Sequence, residues 1–158
     1  MKVTASSTSA QSHSLVLPIL VGGLIAGTFD AIAAIVAFGW GMARGIASGL
    51  LGSKAFSGGL GTWFLGLALH FFIAISAAAI YCYASRRLVF LREHFIVCGI
   101  FYGIAIYLVM NLVVLPLSAV PFPVGPFTVR ALYQGLLIHM FLIGLPIAAS
   151  LRFLSKTA

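Results

Sequence analysis

The chain has 158 residues, of which 62% are hydrophobic and only 7% are charged, and its formal net charge is +7. Soluble domains carry about 25% charged residues, so this composition excludes a water-exposed globular domain and indicates a protein whose main solvent is lipid. The cations lie singly or in short groups at the ends of apolar runs. This pattern is typical of loops that meet lipid headgroups and argues against nucleic-acid binding.

The first 14 residues are polar and rich in Ser and Thr, and we expect them to form a disordered cytoplasmic tail. The apolar run that follows predicts a first membrane span over about residues 15–40. A cleaved signal peptide is the alternative, but the run is too long for one and Asp30 interrupts it. Gly23 and Gly27 share a helical face with Asp30 and predict close contact with a neighbouring helix, so Asp30 should point into the bundle.

The connector over residues 41–59 is too polar and too rich in glycine to span a bilayer. Within it, Met42, Ile46 and Leu50 recur at helical spacing, which predicts a short amphipathic helix. Such a helix lies either flat at the membrane interface or as a re-entrant lid over the bundle, and we prefer the first interpretation.

Three further membrane spans are predicted, over about residues 60–84, 95–118 and 128–151. The third span carries Gly99 and Gly103 at the spacing that is typical of close helix contacts. The sequence therefore predicts an all-α integral membrane protein. Its four transmembrane helices form one domain, residues 15–152, and a cytoplasmic tail follows over residues 153–158.

The orientation follows from the distribution of Lys and Arg. Four spans place both termini on one side, together with the loop between spans two and three, and that side carries six cations against three on the other. The positive-inside rule then predicts cytoplasmic termini. Cys82 and Cys98 lie near this side, so we interpret them as packing residues rather than as a disulfide.

Four polar residues, one in each span, are predicted at similar depth in the membrane: Asp30, His70, Asn111 and His139. At about 1.5 Å per residue, each lies roughly 10 to 16 Å below the non-cytoplasmic surface. A charge near the bilayer centre costs about 2.5 to 3.5 kcal/mol on insertion scales. We therefore expect these side chains to meet one another rather than lipid.

This polar constellation is open to several interpretations. In the first, which we prefer from the sequence, hydrogen bonds of about 0.6 kcal/mol each fix the helix register in a non-enzymatic structural or accessory subunit. In the second, Asp30 and a histidine form the site of a proton-linked small transporter or conductance path. A chain this short would then need to form an oligomer.

In the third interpretation, His70 and His139 bind haem, or join Asp30 in holding a divalent metal, but no ligand motif accompanies them. The fourth, intramembrane catalysis, lacks a nucleophile elbow or a metalloprotease motif. We therefore predict no enzyme activity, no cofactor and no metal site. The predicted partners are the lipid bilayer and either a second copy of the chain or another membrane protein.

Several segments occur in a particular order along the chain: IASGLLG (46–52), AFSGG (55–59), LGLALHFFIA (65–74), MNLVVLPLSA (110–119) and GLLIHMF (135–141). In this order the chain resembles a group of small bacterial inner-membrane proteins, the YagU-like proteins. The resemblance covers nearly the whole chain after residue 15. It implies a location in the bacterial cytoplasmic membrane and implies no particular chemistry.

Overall fold

The structure, a computed structural model, describes residues 14–124 and 128–155. In this part of the chain there is no strand, and four helical segments are long and apolar enough to cross a membrane. The all-α, four-span fold that the sequence predicts is therefore confirmed. Apart from Ser14, the predicted N-terminal tail lies outside the described residues.

The first span and the connector form a nearly continuous helical segment. Helix α1 (Val16–Phe38) ends at Gly39, whose φ of 70° lies in the left-handed region that favours glycine. A short 3₁₀ turn then leads into helix α2 (Met42–Leu51), and the one-turn helix α3 (Lys54–Ser57) completes the connector. The apolar spacing of the connector thus corresponds to a real helix.

The other three spans are the helices α4 (Leu60–Ala84), α6 (Phe95–Leu117) and α7 (Val129–Leu154), and the short helix α5 (Phe90–Glu93) lies in the loop before α6. Because α7 continues to Leu154, the first two residues that the sequence assigned to the C-terminal tail are helical. Helix ends are uncertain by one or two residues in any assignment, so this difference is small.

Two spans contain a widened, π-helical segment just before a proline. In α6 this segment is Met110–Val114 and precedes Pro116, and in α7 it is His139–Gly144 and precedes Pro146. A proline lacks the N–H that would bond the carbonyl four residues earlier, and its ring crowds that carbonyl. The wider turn relieves this crowding, and π segments are frequent at functional sites.

Glycines form the closest helix contacts of the bundle, in which α1 packs between α4 and α7, and α6 packs on α7. The four glycines that the sequence assigned to helix packing all lie there: Gly23 and Gly27 face α4, and Gly99 and Gly103 face α7. At Gly23 a Cβ would lie 2.6 Å from the Cα of Ile75, and at Gly103 a Cβ would overlap the backbone of His139.

The two halves of the bundle are packed differently. Near the chain termini, buried side chains of spans one, two and four form a core, and partly buried side chains of span three pack against it. Tyr81, Ile147 and Leu151 are among the largest side chains that are fully enclosed. Farther from the termini the side chains do not fill the space, and a cavity lies between the helices.

Candidate functional site: a polar cavity between the spans

The central cavity has a volume of about 510 Å³ and is lined by all four spans and by Ile46 of α2. Most of its wall consists of Ala, Ile and other apolar residues. Six polar residues share this wall: Asp30, His70, Tyr107, Asn111, Gln134 and His139. The structure therefore brings the four residues of the predicted constellation, one from each span, to one cavity.

Asp30 and His70 form the pair of opposite potential charge in the cavity. The Nδ1 atom of His70 lies 4.0 Å from Oδ2 of Asp30, and the side chains are 10% and 24% exposed. The distance is longer than a direct hydrogen bond, so the pair interacts electrostatically or through one bridging molecule. Both groups are largely shielded by protein, so they attract each other strongly only when His70 is protonated and Asp30 is ionised.

A backbone carbonyl selects the tautomer of His70. Its Nε2 atom lies 2.8 Å from the carbonyl oxygen of Gly27, across the α1–α4 interface. A carbonyl oxygen only accepts, so Nε2 carries a proton and donates it. In neutral His70 the unprotonated nitrogen is then Nδ1, which is the atom that faces the Asp30 carboxylate. Nδ1 of His70 and the carboxylate of Asp30 are therefore two proton-accepting groups that face each other in the cavity.

His139 opens the π segment of α7 and is tied to its own helix. Its Nδ1 atom lies 2.9 Å from the carbonyl oxygen of Gly135, and its ring packs edge-to-face on Tyr107 with 5.2 Å between ring centroids. By the same tautomer argument, Nε2 is the basic nitrogen of neutral His139.

Asn111 also bonds within its own helix, because its Nδ2 donates to the carbonyl oxygen of Tyr107 at 2.9 Å. The hydrogen bonds found among the described residues do not join Asn111 or His139 to Asp30. The sequence led us to expect the four side chains to meet one another. They share the wall of a cavity, and among the described residues an ion-pair distance of 4.0 Å is found between Asp30 and His70.

Two polar residues of the cavity were not among the predicted site residues. Tyr107 lies one helical turn before Asn111, and this spacing of four is a signal that could have included it. Gln134 lies near the beginning of span four, where polar residues are expected at the membrane interface. Its position therefore carried no signal of a cavity residue.

Helix α2 lies across the bundle from α4 to the end of α6. At its beginning, Gly66 of α4 contacts the carbonyl group of Ala43, so closely that no side chain would fit there. Near its end, the N–H of Ala119 donates to the carbonyl oxygen of Gly49 at 2.9 Å. Because Ile46 between these contacts lines the cavity, α2 covers part of the cavity mouth.

The cavity reaches the protein surface beside the first part of α7. Residues 129–134 are all exposed, and this part of α7 packs mainly against α6. Ala131 and Gln134 therefore belong both to the cavity wall and to the surface, as does Phe38 at the end of α1.

No three His, Cys, Asp or Glu side chains of the described residues are close enough together to hold a metal ion. Comparisons with protein-family models, with curated proteins and with solved structures find no match to this chain. The resemblance to YagU-like proteins stays a prediction, and function is inferred from the cavity itself.

Proposed function

We propose that this protein carries out proton-linked transport or conductance of a small cation or cationic solute through the cavity between its four spans. The observation that carries the proposal is the Asp30–His70 pair, 4.0 Å apart in the wall of a cavity of about 510 Å³. Cavities of this size are typical of small-molecule sites, in which a few polar groups orient a ligand within apolar walls.

The charge of the pair changes with one proton. When His70 is neutral and Asp30 is ionised, the pair carries one negative charge and attracts a cation. When a proton binds at Nδ1 of His70 or at Asp30, the net charge of the pair is zero and that attraction is lost. A proton and a monovalent cation therefore compete for the same site, which is the requirement for coupling their movements.

A second candidate function, a structural or accessory subunit, is supported by the hydrogen bond from His70 to the carbonyl oxygen of Gly27. This bond joins α1 to α4 at 2.8 Å and fixes the register of two spans without any transport. The open cavity favours transport, because a purely structural polar cluster would be expected to close on itself.

Three further properties belong to the proposal. We infer that the protein lies in the bacterial cytoplasmic membrane, because the YagU-like resemblance implies it. We infer that both termini are in the cytoplasm, because the terminal side carries six of the nine cations. We infer that it is not an enzyme. We also infer that it assembles with a second copy or with another membrane protein, which would cover the exposed first part of α7.

Proton flux into reconstituted vesicles tests the transport proposal. Under an imposed pH gradient and with an internal pH-sensitive dye, the wild-type protein should acidify the vesicle interior, and Asp30→Asn should reduce the flux to that of empty vesicles. Thr28→Val is the matched control, because Thr28 is on the same helix but exposed, with its hydroxyl donating to the carbonyl oxygen of Leu24. A correctly folded Asp30→Asn protein with wild-type flux would contradict transport and leave the structural function.

A further inference from the structure

A second, apolar groove of about 700 Å³ lies on the outer face of the bundle, between α4 and α6. It shares no lining residue with the central cavity and lies where the two spans meet the loop that joins them. The exposed side chains of Ile80, Val97 and Phe101 line it, and these positions face acyl chains in a membrane-spanning protein.

The groove exists because tyrosines rather than glycines join α4 to α6. The rings of Tyr81 and Tyr102 pack with 4.8 Å between centroids. The Tyr102 hydroxyl donates to the carbonyl oxygen of Ala77 at 2.7 Å. The Tyr81 hydroxyl donates to the carbonyl oxygen of Leu91 at 3.0 Å. Both hydroxyls are therefore satisfied within the protein, and what remains of the floor is apolar.

The loop at one end of the groove is strongly basic. Arg86, Arg87 and Arg92 lie in it, and Glu93 is its only acid. Arg86 and Arg87 are exposed, whereas the Nε atom of Arg92 is buried and has no hydrogen-bond partner among the described residues. The loop thus places three positive charges beside the loop end of the groove, where the spans are expected to meet lipid headgroups.

We propose that this groove is a binding site for an anionic phospholipid, with one acyl chain between α4 and α6 and the phosphate at the three arginines. Charge selects this occupant. A second copy of the chain in parallel orientation would bring its own copy of the basic loop beside this one, and a zwitterionic lipid would leave the positive charge uncompensated. Basic residues at this depth each strengthen the binding of anionic headgroups.

The test compares dioleoyl phosphatidylglycerol with dioleoyl phosphatidylcholine, added to the full-length protein in a neutral detergent. Retained lipid is measured by native mass spectrometry, and Tm is measured by thermal unfolding. Phosphatidylglycerol should be retained and should raise Tm. Phosphatidylcholine should be retained less and should raise Tm less. Glycerol phosphate supplies the phosphate without the acyl chains and should leave Tm unchanged. A rise in Tm equal to that produced by phosphatidylglycerol would overturn the proposal.

Two variants locate the site. Changing Arg86, Arg87 and Arg92 to Gln should weaken phosphatidylglycerol binding, by about fivefold for each arginine. The matched control replaces the three cations of the opposite end, Arg44, Lys54 and Arg130, with Gln. This variant should retain the wild-type affinity for phosphatidylglycerol. Equal losses in the two triple variants would overturn the proposal, because any positive charge would then suffice.

Ala84→Phe tests the groove with all arginines in place. Ala84 lines the loop end of the groove, so a phenyl ring there should exclude the acyl chain and lower phosphatidylglycerol retention. Retention at the wild-type level would overturn the proposal and leave the groove to another occupant, such as a second copy of the chain. Because this variant keeps the loop charges, it remains informative if the arginine variant does not fold.

Discussion

At the scale of single residues, the central feature is that His70 contacts two different acceptors. One ring nitrogen bonds the carbonyl oxygen of Gly27 on α1, and the other faces the carboxylate of Asp30 on the same helix. The imidazole therefore holds a backbone contact and a titratable contact at once. Loss of the ring nitrogens should affect packing, whereas loss of the carboxylate should affect only the chemistry of the cavity.

His70→Phe removes both nitrogens and keeps a ring of similar shape. It leaves the Gly27 carbonyl without this donor and Asp30 without its partner, so we expect a loss of stability of about 1 to 3 kcal/mol. His94→Phe is the control, because His94 is exposed in the loop between α4 and α6. Thermal unfolding in detergent measures both variants, and equal Tm values would show that the α1–α4 contact at His70 does not contribute to stability.

At the scale of elements, the glycine contacts between α6 and α7 hold one wall of the cavity in place. Gly103 lies directly against the backbone at His139 and Met140, where the π segment of α7 begins. The position of the His139 side chain therefore depends on how closely the two spans approach. A change that separates them would move a cavity residue without altering it.

Gly103→Ala should destabilise the protein by about 1 to 3 kcal/mol, because its Cβ meets helix backbone rather than a flexible side chain. Gly61→Ala is the matched control. It lies in α4 with open space around it, so the same substitution there should raise stability by up to about 1 kcal/mol. Opposite shifts in Tm are expected, and a rise in both would contradict close packing at Gly103.

The sequence predicted the elements well and the interior less well. The spans, the connector helix and the facing glycines followed from apolar length and small-residue spacing, because lipid leaves a helix few alternatives. The cavity could not be predicted from the sequence. The spacing shows that the helix faces with Asn111 and His139 are turned inward, but it does not show how far apart the helices lie. The π segments, which precede Pro116 and Pro146, also shift side chains away from α-helical spacing.

At the scale of the whole molecule, the cations are unevenly distributed between the two ends. The end with both termini and the loop between α4 and α6 carries six Lys and Arg residues, and the end with the connector and the start of α7 carries three. This difference sets the expected direction of insertion. The central cavity then lies nearer the non-cytoplasmic side.

Labelling of single cysteines tests this orientation in intact cells whose outer membrane has been permeabilised. In a background with Cys82 and Cys98 changed to Ala, a membrane-impermeant maleimide should label Lys54→Cys and should label Arg87→Cys only after lysis. Both positions are exposed, so accessibility within the protein is matched. The reverse pattern would place the termini outside.

The closed core near the termini has a consequence for how the molecule would operate. Tyr81, Ile147 and Leu151 are fully enclosed on that side, so a solute in the cavity would meet a barrier towards the end that carries the termini. For the proposed transport, the structure would correspond to a state that is closed at that end. At Gly99, Gly103 and Gly144 the α6–α7 seam places glycine against backbone or against the small side chain of Ala148, so a larger side chain at any of these positions would push the two helices apart and widen the cavity wall.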